Sequence, residues 1–391
     1  MSIRLSELHS DWSDDPQRLS EVVYRVDLGD RHYDVFLRSS QLARQPGLEV
    51  VVPMALLAAM RLRRPLHVQG RLSRTFLEGV QRVMALFAAS FDAFSAVDIQ
   101  VDELYQAEPG VPGPRRAAFF SGGVDSFFTL LKGRDELTDL IYIHGFDVRL
   151  DDWPRRRAIS DMGNAVAAHM GMRFVEVESN LAKVIEDFGS WPLHGHGFAL
   201  VSVARALAGP IGEVRIPGSF SVDEQKPWGS WLESDPLFSD ERLQVVHDAC
   251  AATRIDKVVA LAEEPLALRY LRVCWGRVDG MYNCCRCEKC LRTMTSLYAL
   301  GKLEQAAAFP LPLTPELVAG VLLPRPGMRI FTEGNIRLLK QYRPADKAML
   351  RALHRQLRRP IWWSVRLLKW QKRLRRWRGL LSRLLPGRQA V

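Results

Sequence analysis

The chain has 391 residues, 47% hydrophobic and 25% charged, with a formal net charge of +10. That length allows two or three domains with an ample core, and the composition is that of an ordinary globular protein. No uncharged apolar run reaches the roughly 18–20 residues that cross a bilayer, and Met1-Ser2-Ile3-Arg4-Leu5-Ser6-Glu7 lacks the apolar core of a secretory signal. A cytoplasmic protein is expected, in which thiols stay reduced and can hold metal. The basic charge is local: from Arg351 to Val391 there are 13 Lys/Arg and no Asp/Glu, which leaves the preceding residues at −3. This argues against a chain that binds nucleic acid over its whole surface.

Residues 1–108 read as a small α+β domain. Glu21–Leu28 and His32–Leu37 alternate as hairpin strands about Gly29-Asp30. Apolar spacing predicts helices over Met54–Leu62 and Arg74–Ala89, and Ala96–Val101 alternates as a strand. Pro109-Gly110-Val111-Pro112-Gly113-Pro114 lies in a linker, placed at 109–116. From 117 to 310 strands alternate with helical patterns, which predicts a parallel twisted sheet with helices on both faces. The strands are Ala117–Phe120, Leu140–Ile143, Arg173–Val177 and Glu213–Pro217. The helices are Ser126–Leu131, Arg156–His169 and Phe198–Ala208. A helical extension at 311–350 and a basic amphipathic tail at 351–391 complete the chain.

In sheets of this kind ligands bind beyond the carboxyl ends of the strands, so each loop there is a site candidate. The first is Ser121-Gly122-Gly123-Val124-Asp125-Ser126. Two glycines allow positive φ and close approach of the backbone, and the first N–H groups of the helix face an anion together with two serine hydroxyls. The expectation is a phosphate cradle, unlike the Walker loop because no Gly-Lys-Ser/Thr follows. The second loop is His144-Gly145-Phe146-Asp147, whose alternative role is a plain turn. In the third, Pro192-Leu193-His194-Gly195-His196-Gly197, the histidines either line a pocket and move a proton or merely frame a helix start. The fourth is long and aromatic, from Gly218 through Asp223, Trp228 and Ser230 to Asp235. Such loops are functional or pack on their own aromatics.

Five of the six cysteines lie between Cys274 and Cys290. Cys274 with Cys284, Cys287 and Cys290 supplies four thiolates, enough for a closed tetrahedral zinc site; a catalytic or redox cysteine pair is the alternative. No unassigned cysteine is matched to a histidine in this reading, so no glutaminase half is expected. In the tail, Trp362, Trp363, Trp370 and Trp377 interleave with Leu and Arg at near-helical spacing. Such a helix suits an anionic membrane surface, RNA or a partner.

The Ser121–Ser126 segment resembles the fingerprint of the PP-loop ATP pyrophosphatases, a Rossmann-type, HUP-like α/β family. These enzymes cleave ATP between the α- and β-phosphates and adenylate an oxygen of the substrate. The resemblance implies that Ser121, Gly122, Gly123, Val124 and Ser126 hold pyrophosphate, with Asp125 beside it through Mg²⁺ and His144 near the adenosine. Cys274-Trp275, followed by Cys284-Cys285-Arg286-Cys287-Glu288-Lys289-Cys290-Leu291-Arg292, is similar to the zinc segment of 7-cyano-7-deazaguanine synthase, and Ile255-Asp256-Lys257 to a segment of that family. This implies zinc on the four cysteines, Lys257 as a charge for phosphate, and Asp223 or Asp235 on the substrate. The chain departs from that family in three places. Cys285 stands in place of a glycine, the loop after Cys274 is one residue longer, and Pro192–Gly197 replaces its Pro-Gly-Arg-Asn, so a different substrate is expected.

The reading that follows is a C–N ligase. It releases AMP and pyrophosphate, takes ammonia or an amine, free or supplied by a partner glutaminase, and places catalysis on Asp125 and Lys257. The alternatives are a tRNA sulfur-transfer enzyme with the tail as an RNA arm, and a non-catalytic nucleotide-sensing module. A homodimer and a tail lying at the inner membrane surface are further expectations.

Overall fold

The computed structural model describes residues 2–15, 17–44, 46–106, 112–274, 276 and 282–384. The residues fall into two compact units, Met1–Thr253 and Arg254–Val391. In chain order the first unit runs β1 (Ile3–Asp11), β2 (Ser20–Asp27), β3 (His32–Ser39), α1 (Val52–Leu62), β4 (Leu66–Ser73), α2 (Arg74–Ser90) and β5 (Ile99–Tyr105). It continues with β6 (Arg115–Phe119), α3 (Val124–Lys132), β7 (Asp139–His144), α4 (Trp153–His169), β8 (Arg173–Ser179), α5 (Leu181–Phe188), α6 (His196–Ala206), β9 (Ile211–Pro217) and β10 (Gln244–Asp248). The second unit is helical among its described residues: α7 (Arg254–Ala262), α8 (Pro265–Tyr270), α9 (Glu288–Ala299), α10 (Pro315–Gly320), α11 (Pro326–Tyr342), α12 (Lys347–Arg358) and α13 (Ile361–Leu384).

All ten strands lie in one mostly parallel sheet of order β10-β9-β6-β7-β8-β3-β2-β1-β4-β5. The fold is therefore α/β and Rossmann-like. The expected strands β6 to β9 differ in burial: every residue of the central β7 is buried, as parallel strands covered on both faces require, whereas β8 and β9 alternate buried apolar residues with partly buried Glu176, Glu178, Glu213 and Arg215. Within this half the order β8-β7-β6-β9-β10 reverses direction between β6 and β9. A crevice opens at such a reversal, beyond the strands' carboxyl ends.

The five strands before the linker join the same sheet. β3 pairs antiparallel with β8 through Leu37↔Ser179 and Arg38↔Glu178. Ser39 Oγ donates to Glu176 O at 2.7 Å and Ser179 Oγ to Phe36 O at 2.8 Å. One apolar core then takes Val22 and Leu37 from one half and Ile141, Val177 and Val214 from the other. The segment expected as a separate domain thus shares its sheet and core with the strands that follow it. Residues 109–111 of the expected linker lie outside the described residues.

The basic tail begins later than its charge suggests. Residues 351–358 belong to α12, whose Met349, Ala352, Leu353 and Gln356 are buried, with Gln356 Nε2 donating to Val318 O at 2.5 Å. α13 carries the exposed Trp362, Trp370 and Trp377. Among the described residues no helix is long and apolar enough to cross a membrane.

Candidate functional site

The glycine-rich turn sits at the β6/β9 reversal. β6 ends at Phe119, Phe120 N–H bonds Ile141 O at 2.8 Å, and the chain turns through Gly122 at φ +74°. That left-handed conformation costs an L-residue about 1–2 kcal/mol, which glycine avoids. Gly123, at φ −79°, is the N-cap of α3 and offers no side chain to cap it. The first N–H groups of α3 therefore meet no side-chain cap at Gly123, the arrangement that receives anions at helix starts.

Asp125 lies in this first turn, and Ser219 Oγ, from the loop after β9, donates to its Oδ2 at 3.3 Å. Ser126 is buried and its hydroxyl donates to Gly123 O at 3.0 Å. It fastens the turn from beneath.

His144 ends β7 in a buried position. Its Nε2 lies 2.7 Å from Glu176 Oε1 on the neighbouring strand, while Nδ1 is buried with no hydrogen-bond partner. Burial pushes the Glu176 carboxyl up, but hydrogen bonds from His144 and Ser160 outweigh it and hold the group below the usual carboxylate range.

The third loop opens with a wide π-type turn, Trp191–Gly195. His194 Nδ1 accepts Ser190 N–H at 3.0 Å, and the ring packs edge-on to Phe91 and Phe94. His196 Nδ1 lies 3.1 Å from Trp191 O and so donates to it. Burial lowers both imidazoles below their ordinary value, with Arg61 adding to the effect at His194. Both rings shape the entry to α6 through these bonds.

In the fourth loop Asp223 is exposed on a short turn closed by Ser221 and Glu224. Trp228 is half-buried against Phe220, with the Lys226 ammonium 4.6 Å from the Phe220 ring centroid. Asp235 is 1% exposed. Its Oδ2 accepts Ser230 Oγ at 2.5 Å and lies 2.7 Å from His247 Nδ1, while Oδ1 accepts Ser234 Oγ at 3.0 Å. The Asp235 carboxylate is thus shared among Ser230, Ser234 and His247.

The expectation that no remaining cysteine is matched to a histidine is corrected here. Cys250 Sγ and His247 Nε2 face the same side of Gly218, where a Cβ would lie 3.1 Å and 2.8 Å from them. The two are three residues apart, and Ala249 between them, at φ +65°, turns the chain back on itself. Sequence reasoning missed this pair because the signal is a backbone conformation.

In the second unit, Sγ atoms of Cys274, Cys284, Cys287 and Cys290 all lie within 4.8 Å of one another. Cys274–Cys287 is 3.8 Å, Cys284–Cys290 3.9 Å and Cys287–Cys290 3.4 Å. A tetrahedral metal with bonds of about 2.3 Å sets its sulfurs about 3.8 Å apart. Two backbone N–H groups already point at sulfur: Gly276 at Cys274, 3.0 Å, and Cys287 at Cys284, 3.3 Å. Hydrogen bonding from Cys290 above all, with help from Cys284 and Cys274, draws the Cys287 thiol down to about 5 despite burial.

The fifth cysteine, Cys285, is fully buried outside this set, at φ +52°. A glycine would take that backbone without strain.

Buried Asn283 was not foreseen. Its Nδ2 donates to Leu271 O and Ala308 O, both at 2.8 Å, and its Oδ1 accepts Val273 N–H at 2.9 Å. It ties the extended segment before Cys274 to the turn before Cys284. Lys257 belongs to this unit, on α7, and is fully buried.

The described residues thus contain a glycine-rich strand-to-helix turn in one unit and a four-thiol centre in the other. No protein-family model, curated protein or solved structure matches the chain.

Proposed function

We propose that the chain is a PP-loop-type ligase that adenylates a small-molecule carboxylate with ATP. The observation that carries this is the Gly122–Gly123 turn, which opens α3 without a side-chain cap at the strand-order reversal, with Asp125 in its first turn. In this reading backbone N–H groups of the turn and Ser121 receive the β,γ-phosphates. Asp125 carries the Mg²⁺ that neutralises phosphate charge.

The carboxylate oxygen of the substrate attacks the α-phosphorus. An O–P bond forms, the α–β bridge breaks, and pyrophosphate leaves into the N–H cradle, which stabilises the charge it gains. Ammonia or an amine then attacks the acyl carbon and AMP departs with the bonding pair. The protein's part is positioning and the exclusion of water. Four thiolates suit Zn²⁺ held as a structural staple of the second unit.

The test is exchange of labelled pyrophosphate into ATP across a panel of small carboxylic acids. An acid that supports exchange in the parent and not in Asp125→Ala fits the reading. Turnover of ATP to ADP and phosphate alone contradicts it.

A further inference from the structure

Beyond the nucleotide loop, the carboxyl end of the sheet holds a second chemical group. β10 ends at Asp248, Ala249 adopts a left-handed φ of +65°, and Cys250 follows. Strain at a buried alanine marks a turn that the surrounding structure imposes, and such strain concentrates at functional positions. The turn is held by Gly218 N–H to Asp248 O at 2.9 Å and Val222 N–H to Cys250 O at 2.8 Å.

Its effect is to bring thiol and imidazole together. A Cβ on Gly218 would lie 2.8 Å from His247 Nε2 and 3.1 Å from Cys250 Sγ. The other ring nitrogen, Nδ1, is 2.7 Å from the Asp235 carboxylate, which Ser230 and Ser234 fix in place. Gln225 Nε2 donates to Cys250 Sγ at 3.5 Å.

We infer that Cys250, His247 and Asp235 form a nucleophilic relay in which the Cys250 thiolate accepts an activated acyl group. The three residues stand in the order nucleophile, base and orienting carboxylate that such relays require. The thiol lies against Gly218, and the hydroxyl of the next residue, Ser219, reaches Asp125 of the nucleotide loop. An acyl-adenylate formed at that loop is the class of substrate this placement serves, so the inference rests on the proposed adenylation.

The titratable groups around His247 are Asp235 by direct contact, with Cys250 and His196 in its field. Burial opposes a charged ring, but Asp235 and Cys250 outweigh it and carry the imidazole up to about 9.

The steps balance. His247 takes the Cys250 proton. The thiolate attacks the acyl carbon, an S–C bond forms, and the C–O bond to AMP breaks with its electrons. Ammonia or an amine then attacks the thioester carbon, the C–S bond breaks, and the thiolate returns while the amine's surplus proton passes to solvent.

The test uses p-nitrophenyl acetate as the activated acyl probe on the full-length, metal-loaded protein without nucleotide. The expected result is a burst of p-nitrophenolate and one acetyl adduct that peptide mass spectrometry places on Cys250. The burst disappears in Cys250→Ala and slows about tenfold or more in His247→Gln and Asp235→Asn. Circular dichroism melts confirm that each variant is folded, and a variant that is not folded is replaced by His247→Asn. No adduct on Cys250, or an equal rate in a folded His247 variant, overturns the inference. Because no nucleotide is present, that failure is separate from failure of the adenylation reading, which would leave the burst intact and abolish pyrophosphate exchange.

Discussion

Ser219 Oγ donates to Asp125 Oδ2 at 3.3 Å, joining the loop after β9 to the first turn of α3. The bond crosses the point where strand order reverses, so the two sides of the crevice are set relative to each other before any ligand arrives. Such preorganisation lowers the cost of binding a charged ligand there.

Asp125→Ala removes the carboxylate proposed to carry Mg²⁺. Pyrophosphate exchange should fall about a hundredfold or more while the melting curve stays near that of the parent. Ser219→Ala removes only a positioning hydrogen bond, and about three- to tenfold is expected. Equal losses in the two variants would contradict the division of roles.

The two glycines of the turn should respond differently. Gly122, at φ +74°, loses about 1–2 kcal/mol of stability on change to Ala, whereas Gly123, at φ −79°, loses less. Urea unfolding of both variants measures the contrast.

Metal content separates the five clustered cysteines. Cys274→Ala, Cys284→Ala, Cys287→Ala and Cys290→Ala should each abolish bound zinc by elemental analysis, while Cys285→Ala keeps it. Asn283→Ala should weaken retention against a chelator. It leaves three backbone groups without their partner, at about 1–3 kcal/mol for each one stranded without water.

His247 gives the stability curve its alkaline limb. Its folded pKa is raised from 6.5 to about 9. The stabilisation is therefore fully present below about pH 6.5 and is lost as pH rises through about 9, on the order of 3 kcal/mol in all. Denaturant melts from pH 6 to 10 should show this decline, and His247→Gln should flatten it.

Much of the α/β core was legible because β6 and β7 carry short apolar runs while β8 and β9 alternate apolar with polar residues, with helical patterns between them. β1 was missed: half of Ile3–Asp11 faces solvent, and its pairing with β2 carries a register shift between Glu7 and His9. β10, only five residues long, has no clear period of its own. The merging of the N-terminal strands with the rest depends on two register pairs between β3 and β8, a long-range match that no local pattern encodes.

At the sites, residue type and spacing revealed the glycine turn and the four thiols. They did not reveal the Cys250–His247–Asp235 arrangement. That depends on a left-handed alanine and on a loop folding back over 12 residues between Asp235 and His247.

Isothermal titration of the protein with ATP in excess Mg²⁺ tests the central claim most directly. The account predicts saturable heat for one nucleotide per chain, absent in a folded Asp125→Ala protein. No heat from the parent, or the same heat from both proteins, would contradict it.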